Sequence, residues 1–274
     1  MENFQLSLLY KINGIGATSG LVYLDNSLFI VSDSSTFLYQ YNIHEKTLNK
    51  IKLSENSQEG IAKKDKADFE AITLFNNKLY LFGSGSTKKR NLRVTYNLES
   101  KEIKEKNVSK IYKRLQETIA IAENELNIEG VIITETTTYF FQRGNGANTQ
   151  NGVFSYDRAS KTVQFKLITL PKINEIEATF TDSILVENTI YFLAAAENTS
   201  STYDDGEIMG SIFGTIDLKT MTLKSCIQIS DKQKFEGLTL YKKSTTQIEF
   251  LICEDNDTKE LESNIYKLKI SKKP

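Results

Sequence analysis

The chain predicts an all-β fold, a five-bladed β-propeller with four strands per blade, on three observations. One short motif recurs five times, apolar strands bounded by turns follow each copy, and an N-terminal segment supplies the strand that the last copy lacks.

The motif is Thr18-Ser19-Gly20-Leu21, then Phe69-Glu70-Ala71-Ile72, Ile128-Glu129-Gly130-Val131, Ile176-Glu177-Ala178-Thr179 and Phe235-Glu236-Gly237-Leu238. With Ser19, Glu70, Glu129, Glu177 and Glu236 as blade starts, the intervals are 51, 59, 48 and 59 residues. Second strands follow at 28–31, 79–82, 139–142, 190–194 and 248–253, and third strands at 37–41, 92–98, 152–156, 211–216 and 264–270. Fourth strands are read at 48–53, 102–108, 163–167 and 223–229, after which the chain runs out. Phe4 to Leu9 has strand character and is expected to complete the last blade, removing an open edge that would otherwise invite aggregation.

The segment 109–123 departs from this plan. Ile111, Leu115 and Ile119 recur at the helical period, so a short helix is expected between blades two and three, as a packing insert or as a wall of the functional face.

Composition agrees with one domain over residues 1–274. Hydrophobic residues make up 39%, with 13 Tyr and 15 Phe, enough for a sizeable core and weighted toward strand formers. Lys plus Arg (34) nearly balances Asp plus Glu (35), so no global field favours nucleic acid or an anionic membrane. No apolar run reaches the ~18 residues that span a bilayer, and the N-terminus lacks the plan of a signal peptide. A soluble monomer is expected, with its compartment open, since a chain trimmed of a leader would look the same. Cys226 and Cys253 each sit in an apolar run and read as unpaired thiols.

In a propeller the innermost strands line the axis, so the repeat position forms a ring: Ser19, Glu70, Glu129, Glu177 and Glu236. Carboxylates about 5 Å apart repel by roughly 3 kcal/mol per pair at an effective dielectric of about 20. Protons or a cation must neutralise such a ring, and hard oxygen donors suit Ca²⁺. Without His or Cys at these positions, Zn²⁺ and copper are disfavoured. The alternative is a structural latch in which each Glu accepts backbone N–H groups of the next blade.

Loops after the second strands share the face of the motif: Ser32-Asp33-Ser34, Gly83-Ser84-Gly85-Ser86 with Lys88, Lys89 and Arg90, Arg143-Gly144-Asn145-Gly146, Glu197-Asn198 and Cys253-Glu254-Asp255. Arg143, Ser84, Ser86, Arg90 and Arg93 are candidates to bind a small anionic ligand there, or else the basic run is a solvated turn. Asp33, Glu70, Glu129 and Glu254 are the carboxylates within reach of a hub ion for hydrolysis. His44, the only histidine, falls past a third strand and reads as a surface residue.

Ser19, Glu70, Glu129 and Glu236 resemble the hub of the calcium-activated nucleotidases, the apyrase family of five-bladed propellers, which hold an axial Ca²⁺ with Ser and Glu residues opening the inner strands. That family has a further Ser where Glu177 falls in this reading. The Glu-Gly-apolar motif also resembles the esterase-like phytase propellers and an uncharacterised bacterial propeller family. The resemblance implies a Ca²⁺-binding propeller, and either a Ca²⁺-dependent hydrolase of a phosphate ester or anhydride or a non-enzymatic propeller that binds a small molecule or protein.

Overall fold

The computed structural model describes residues 4–147, 150–199, 201–202, 206–255 and 261–271. Strand β1 (Phe4–Asn13) comes first. Blade one is β2 (Thr18–Leu24), β3 (Ser27–Ser32), β4 (Phe37–Asn42) and β5 (Thr47–Lys52); blade two is β6 (Phe69–Phe75), β7 (Lys78–Gly83), β8 (Leu92–Asn97) and β9 (Ile103–Asn107). Blade three is β10 (Ile128–Ile133), β11 (Thr137–Gln142), β12 (Gly152–Asp157) and β13 (Val163–Leu167). Blade four adds a two-residue strand, β14 (Lys172–Ile173), to β15 (Ile176–Val186), β16 (Thr189–Asn198), β17 (Glu207–Asp217) and β18 (Thr222–Ser230). Blade five is β19 (Lys234–Lys243), β20 (Gln247–Asp255) and β21 (Glu262–Ser271), closed by β1.

Each blade is an antiparallel meander, and the sequence supplies its turns. Asp25-Asn26 and Asn76-Asn77 have positive φ at both central positions, the geometry that two-residue hairpins require and that Asn and Asp tolerate. As expected, β1 completes the fifth blade, pairing from Phe4 with Ile270 to Asn13 with Glu262.

Five apolar clusters fill the five blade junctions. Phe69 and Leu79 pack beneath Val31 and Leu38 between blades one and two, and Phe141 meets Phe180 edge-on at 5.2 Å between blades three and four. Leu21 and Cys253 lie in the cluster that joins blade five to blade one, and both cysteines are free. The expected helix is α1 (Ser109–Ile119), which ends where Ala120 turns left-handed, and a 3-10 turn follows at Glu123–Glu125. Its Tyr112 and Leu115 are buried between blades two and three, and Tyr112 donates its hydroxyl to the Gly83 carbonyl at 2.7 Å. Of the two roles open to it, α1 fills the packing role, since none of its residues lines the hub cavity. No helix among the described residues is long and apolar enough to cross a membrane.

The inner strands β2, β6, β10, β15 and β19 touch in a ring around the axis. Every one of them slips register once near its hub end, between Thr18 and Gly20, Phe69 and Ala71, Ile128 and Gly130, Phe180 and Asp182, and Phe235 and Gly237. A bulge leaves one residue out of the ladder and re-aims it. The five residues so placed are Ser19, Glu70, Glu129, Thr181 and Glu236.

Candidate functional site

Four of the five expected ring residues occupy bulges, and Glu177 does not. It pairs with Lys172 in the small β14–β15 hairpin, whose Asn174-Glu175 turn has two positive φ angles. That hairpin lengthens the inner strand of blade four at its hub end, so the motif-like Ile176-Glu177-Ala178 precedes the true hub position by four residues. Thr181 is the fourth-blade member, and with it the intervals become 51, 59, 52 and 55 residues. Glu177 instead lines a side cavity of about 290 Å³ with Lys172, Glu175 and Asn151.

The two hydroxyls of the ring act as latches. Ser19 donates to the Phe69 carbonyl at 2.5 Å and Thr181 to the Phe235 carbonyl at 2.6 Å, each reaching the bulge of the following blade. Asp182 adds a second bond across the junction of blades four and five by accepting the Leu238 N–H at 2.6 Å. Small residues after the hub position let the inner strands approach: a Cβ on Gly237 would lie 2.5 Å from Leu21 Cδ2, and one on Gly130 2.7 Å from Ser183 Oγ.

Over the ring lies a cavity of about 290 Å³. Its carboxylates are Glu70, Glu129 and Glu236 from the ring, Asp68 two residues before Glu70, and Asp33, Glu197 and Asp255 from the ends of second strands. Its basic groups are Lys63, Lys66, Arg90, Arg143 and Lys234. Seven carboxylates face five cations among the described residues, an excess of two negative charges when all are ionised.

The charges alternate in two arcs. In the first, Lys66 bridges Asp33 and Asp68 Oδ1, the latter at 2.8 Å, and Arg90 holds Asp68 Oδ2 at 2.7 Å. In the second, Arg143 joins Glu129 at 3.3 Å to Glu197, and Lys234 lies 2.8 Å from Glu236 and 3.4 Å from Asp255. Burial works against the Lys66 ammonium, yet Asp68 and Asp33 more than offset it and raise its pKa.

Glu70 stands between the arcs without a hydrogen bond or ion pair among the described residues. Burial pushes it well above the ordinary carboxylate value, and Asp68, Glu129, Glu236 and Asp33 add to the shift. Burial likewise raises Glu129 and Glu236, although Arg143 and Lys234 oppose it. Asp33, Asp68 and Glu70 bring carboxylate oxygens within 4.8 Å of one another, a hard-oxygen set that suits a divalent cation.

A family model matches residues 14–270. The chain belongs to the Family of unknown function (DUF6929). No curated protein sequence matches it. Solved structures similar to this DUF6929 chain include a luciferin-regenerating enzyme, at 9% identity with a TM-score of 0.52 over 97% of this chain and 95% of that one. A glutaminyl cyclase from Myxococcus xanthus matches at 10% identity with a TM-score of 0.53 over 98% and 97%. At such identities the likeness is one of fold.

The candidate anion loops of this DUF6929 chain separate into three groups. Arg143 and Arg90 reach the cavity. Ser84 and Ser86 stand behind it: Ser84 donates to Asp68, and Ser86 accepts from Arg90 at 2.8 Å. The Gly83–Ser86 loop is no open anion cradle, because the Ser84 N–H goes to the Asp68 carbonyl at 3.0 Å and Gly85 packs on the Tyr112 ring. Arg93 lies apart, its guanidinium 5.5 Å from the Tyr80 ring, because β8 is the third strand out from the axis in its blade. Lys88 and Lys89 are also off the cavity; Lys89 pairs with Asp65 at 2.5 Å in the exposed turn. His44 is an exposed turn residue, and Glu254 accepts from the Tyr266 hydroxyl at 2.7 Å away from the cavity.

Sequence reasoning missed Lys66, Asp68, Asn127 and Lys234. Asp68, Asn127 and Lys234 each stand two residues before a bulged ring residue, Glu70, Glu129 and Glu236, and all three line the cavity. That signal was present in the sequence.

Proposed function

We propose that this propeller binds a divalent cation, Ca²⁺ by the character of the donors, together with a small anionic molecule in the hub cavity, and that it hydrolyses a phosphate ester or anhydride there. The observation that carries the reading is the convergence of Asp33, Asp68 and Glu70, with Glu70 outside every ion pair among the described residues, in a cavity that Arg143 and Lys234 also line. A bound Ca²⁺ supplies the missing positive charge and polarises a phosphoryl oxygen. Arg143 and Lys234 line the cavity where the anionic group would lie. The binding half is tested by titrating Ca²⁺ and Mg²⁺ calorimetrically into wild type and Glu70→Gln; saturable Ca²⁺ binding that the substitution abolishes is expected, and its absence in wild type overturns the cation. The hydrolytic half is tested with nucleoside diphosphates and phytate, with Ca²⁺ and with chelator; no turnover of either removes the enzyme.

A second reading is a non-enzymatic binding propeller with a structural hub. Ser19, Thr181 and Asp182 favour it, since their inter-blade bonds hold the ring without any ion. Under that reading a small polar molecule raises Tm while no hydrolysis accompanies it.

A further inference from the structure

The segment between β5 and β6, residues 53–68, forms no regular element apart from turns, yet it is tied across the hub face. Ile61 N–H bonds to the Ser34 carbonyl at 3.0 Å, the Thr36 N–H bonds to the Gln58 carbonyl at 3.0 Å, and Arg90 holds the Lys63 carbonyl at 3.1 Å. This strap carries Lys66 down to the cavity, where the side chain is 9% exposed. Its ammonium lies in ion-pair contact with Asp33 and Asp68, the two carboxylates that converge with Glu70.

An ammonium and a divalent ion compete for the same oxygens. Lys66 occupies Asp33 Oδ2 and Asp68 Oδ1 while Arg90 holds Asp68 Oδ2, so a divalent ion that draws these two carboxylates together meets the repulsion of the ammonium at close range. The lysine stem, by contrast, has four rotatable bonds and hangs from a segment outside the ladders, so withdrawal breaks no strand pairing.

We infer that Lys66 is a tethered counter-ion of the hub: it neutralises Asp33 and Asp68 in the cation-free protein, and a divalent cation must displace it to bind. The inference rests on the cation reading above and adds what sets its affinity. Lys66 keeps the cation site weak and reversible, and it couples occupancy to the position of the strap. Removing the ammonium leaves Asp33 without its ion pair and Asp68 with Arg90 alone, and strengthens their hold on the metal.

Calorimetric titration of Ca²⁺ into wild type and Lys66→Met tests this directly. The variant is expected to bind at least tenfold more tightly. Equal or weaker binding by the variant, with wild type binding, overturns the tethered counter-ion and leaves the cation site standing. No binding by either protein overturns both. A measurement on wild type alone covers the case in which Lys66→Met does not fold: labelling by an amine-reactive ester, read by mass spectrometry with and without Ca²⁺. Lys66 is expected to be protected without Ca²⁺ and to become labelled as Ca²⁺ saturates; labelling that stays unchanged at saturating Ca²⁺ overturns the inference.

Discussion

Thr181 donates its hydroxyl to the Phe235 carbonyl at 2.6 Å, from the bulge of blade four to the bulge of blade five. Both groups are buried, so removing the donor strands an acceptor. Thr181→Val is expected to lower unfolding stability by about 1–3 kcal/mol, and Thr181→Ser to restore most of it. Urea denaturation of the three proteins measures the difference.

Arg143 sits between Glu129 and Glu197 with 5% exposure, so its loss leaves two buried carboxylates short of a counter-charge. Arg143→Met is expected to cost about 3–5 kcal/mol, and adding Glu129→Gln to recover part of that. A double-mutant cycle on denaturation midpoints gives the coupling.

Stability is expected to fall as pH rises. Burial raises Asp182, Glu70, Glu129 and Glu236 above their ordinary values, so between the unfolded and folded values the native state holds protons that the unfolded chain has lost. Their contribution is therefore greatest at or below the unfolded value and declines toward the folded one. Asp157 and Asp217, lowered by the N–H groups of Ser160 and Thr220, act in the opposite sense, and only at more acid pH. Tm in chelator should drop as pH rises above the ordinary carboxylate range, Asp182→Asn should flatten the slope, and Ca²⁺ should flatten it further. A flat wild-type profile in chelator contradicts this.

Gly237 packs against Leu21, Cys253 and Gly20 of the neighbouring strands, and a Cβ at this position would fall 2.5 Å, 2.6 Å and 2.9 Å from their atoms. Gly237→Ala is expected to destabilise by about 1–3 kcal/mol through overpacking at the axis. Thermal unfolding against wild type reads it.

The blades were legible because the inner strands of blades two, three and five carry an apolar residue, a Glu and a small residue in turn, as at Phe69-Glu70-Ala71 and Phe235-Glu236-Gly237, and Thr18-Ser19-Gly20 differs little. Phe180-Thr181-Asp182 hid because its third residue is Asp, and because the β14–β15 hairpin set a decoy Glu177 just upstream. Asp33, Glu197 and Asp255 followed from the rule that second strands return to the hub face. Lys66 was beyond reach of periodicity, since it lies on an irregular strap whose path depends on tertiary bonds such as Ile61 to Ser34. The balance of charge in the cavity was likewise hidden, because it joins residues from five blades that no local pattern connects.

Pairing of Phe4–Asn13 with Glu262–Ser271 has a consequence for biosynthesis. On the ribosome the first of these segments emerges long before its partner, and four blades can assemble while it waits. The apolar side chains Leu6, Leu9 and Ile12, which pack against the core only once β1 is paired, are then a sticky flag on a nascent chain. Its capture by the final strand locks the circle.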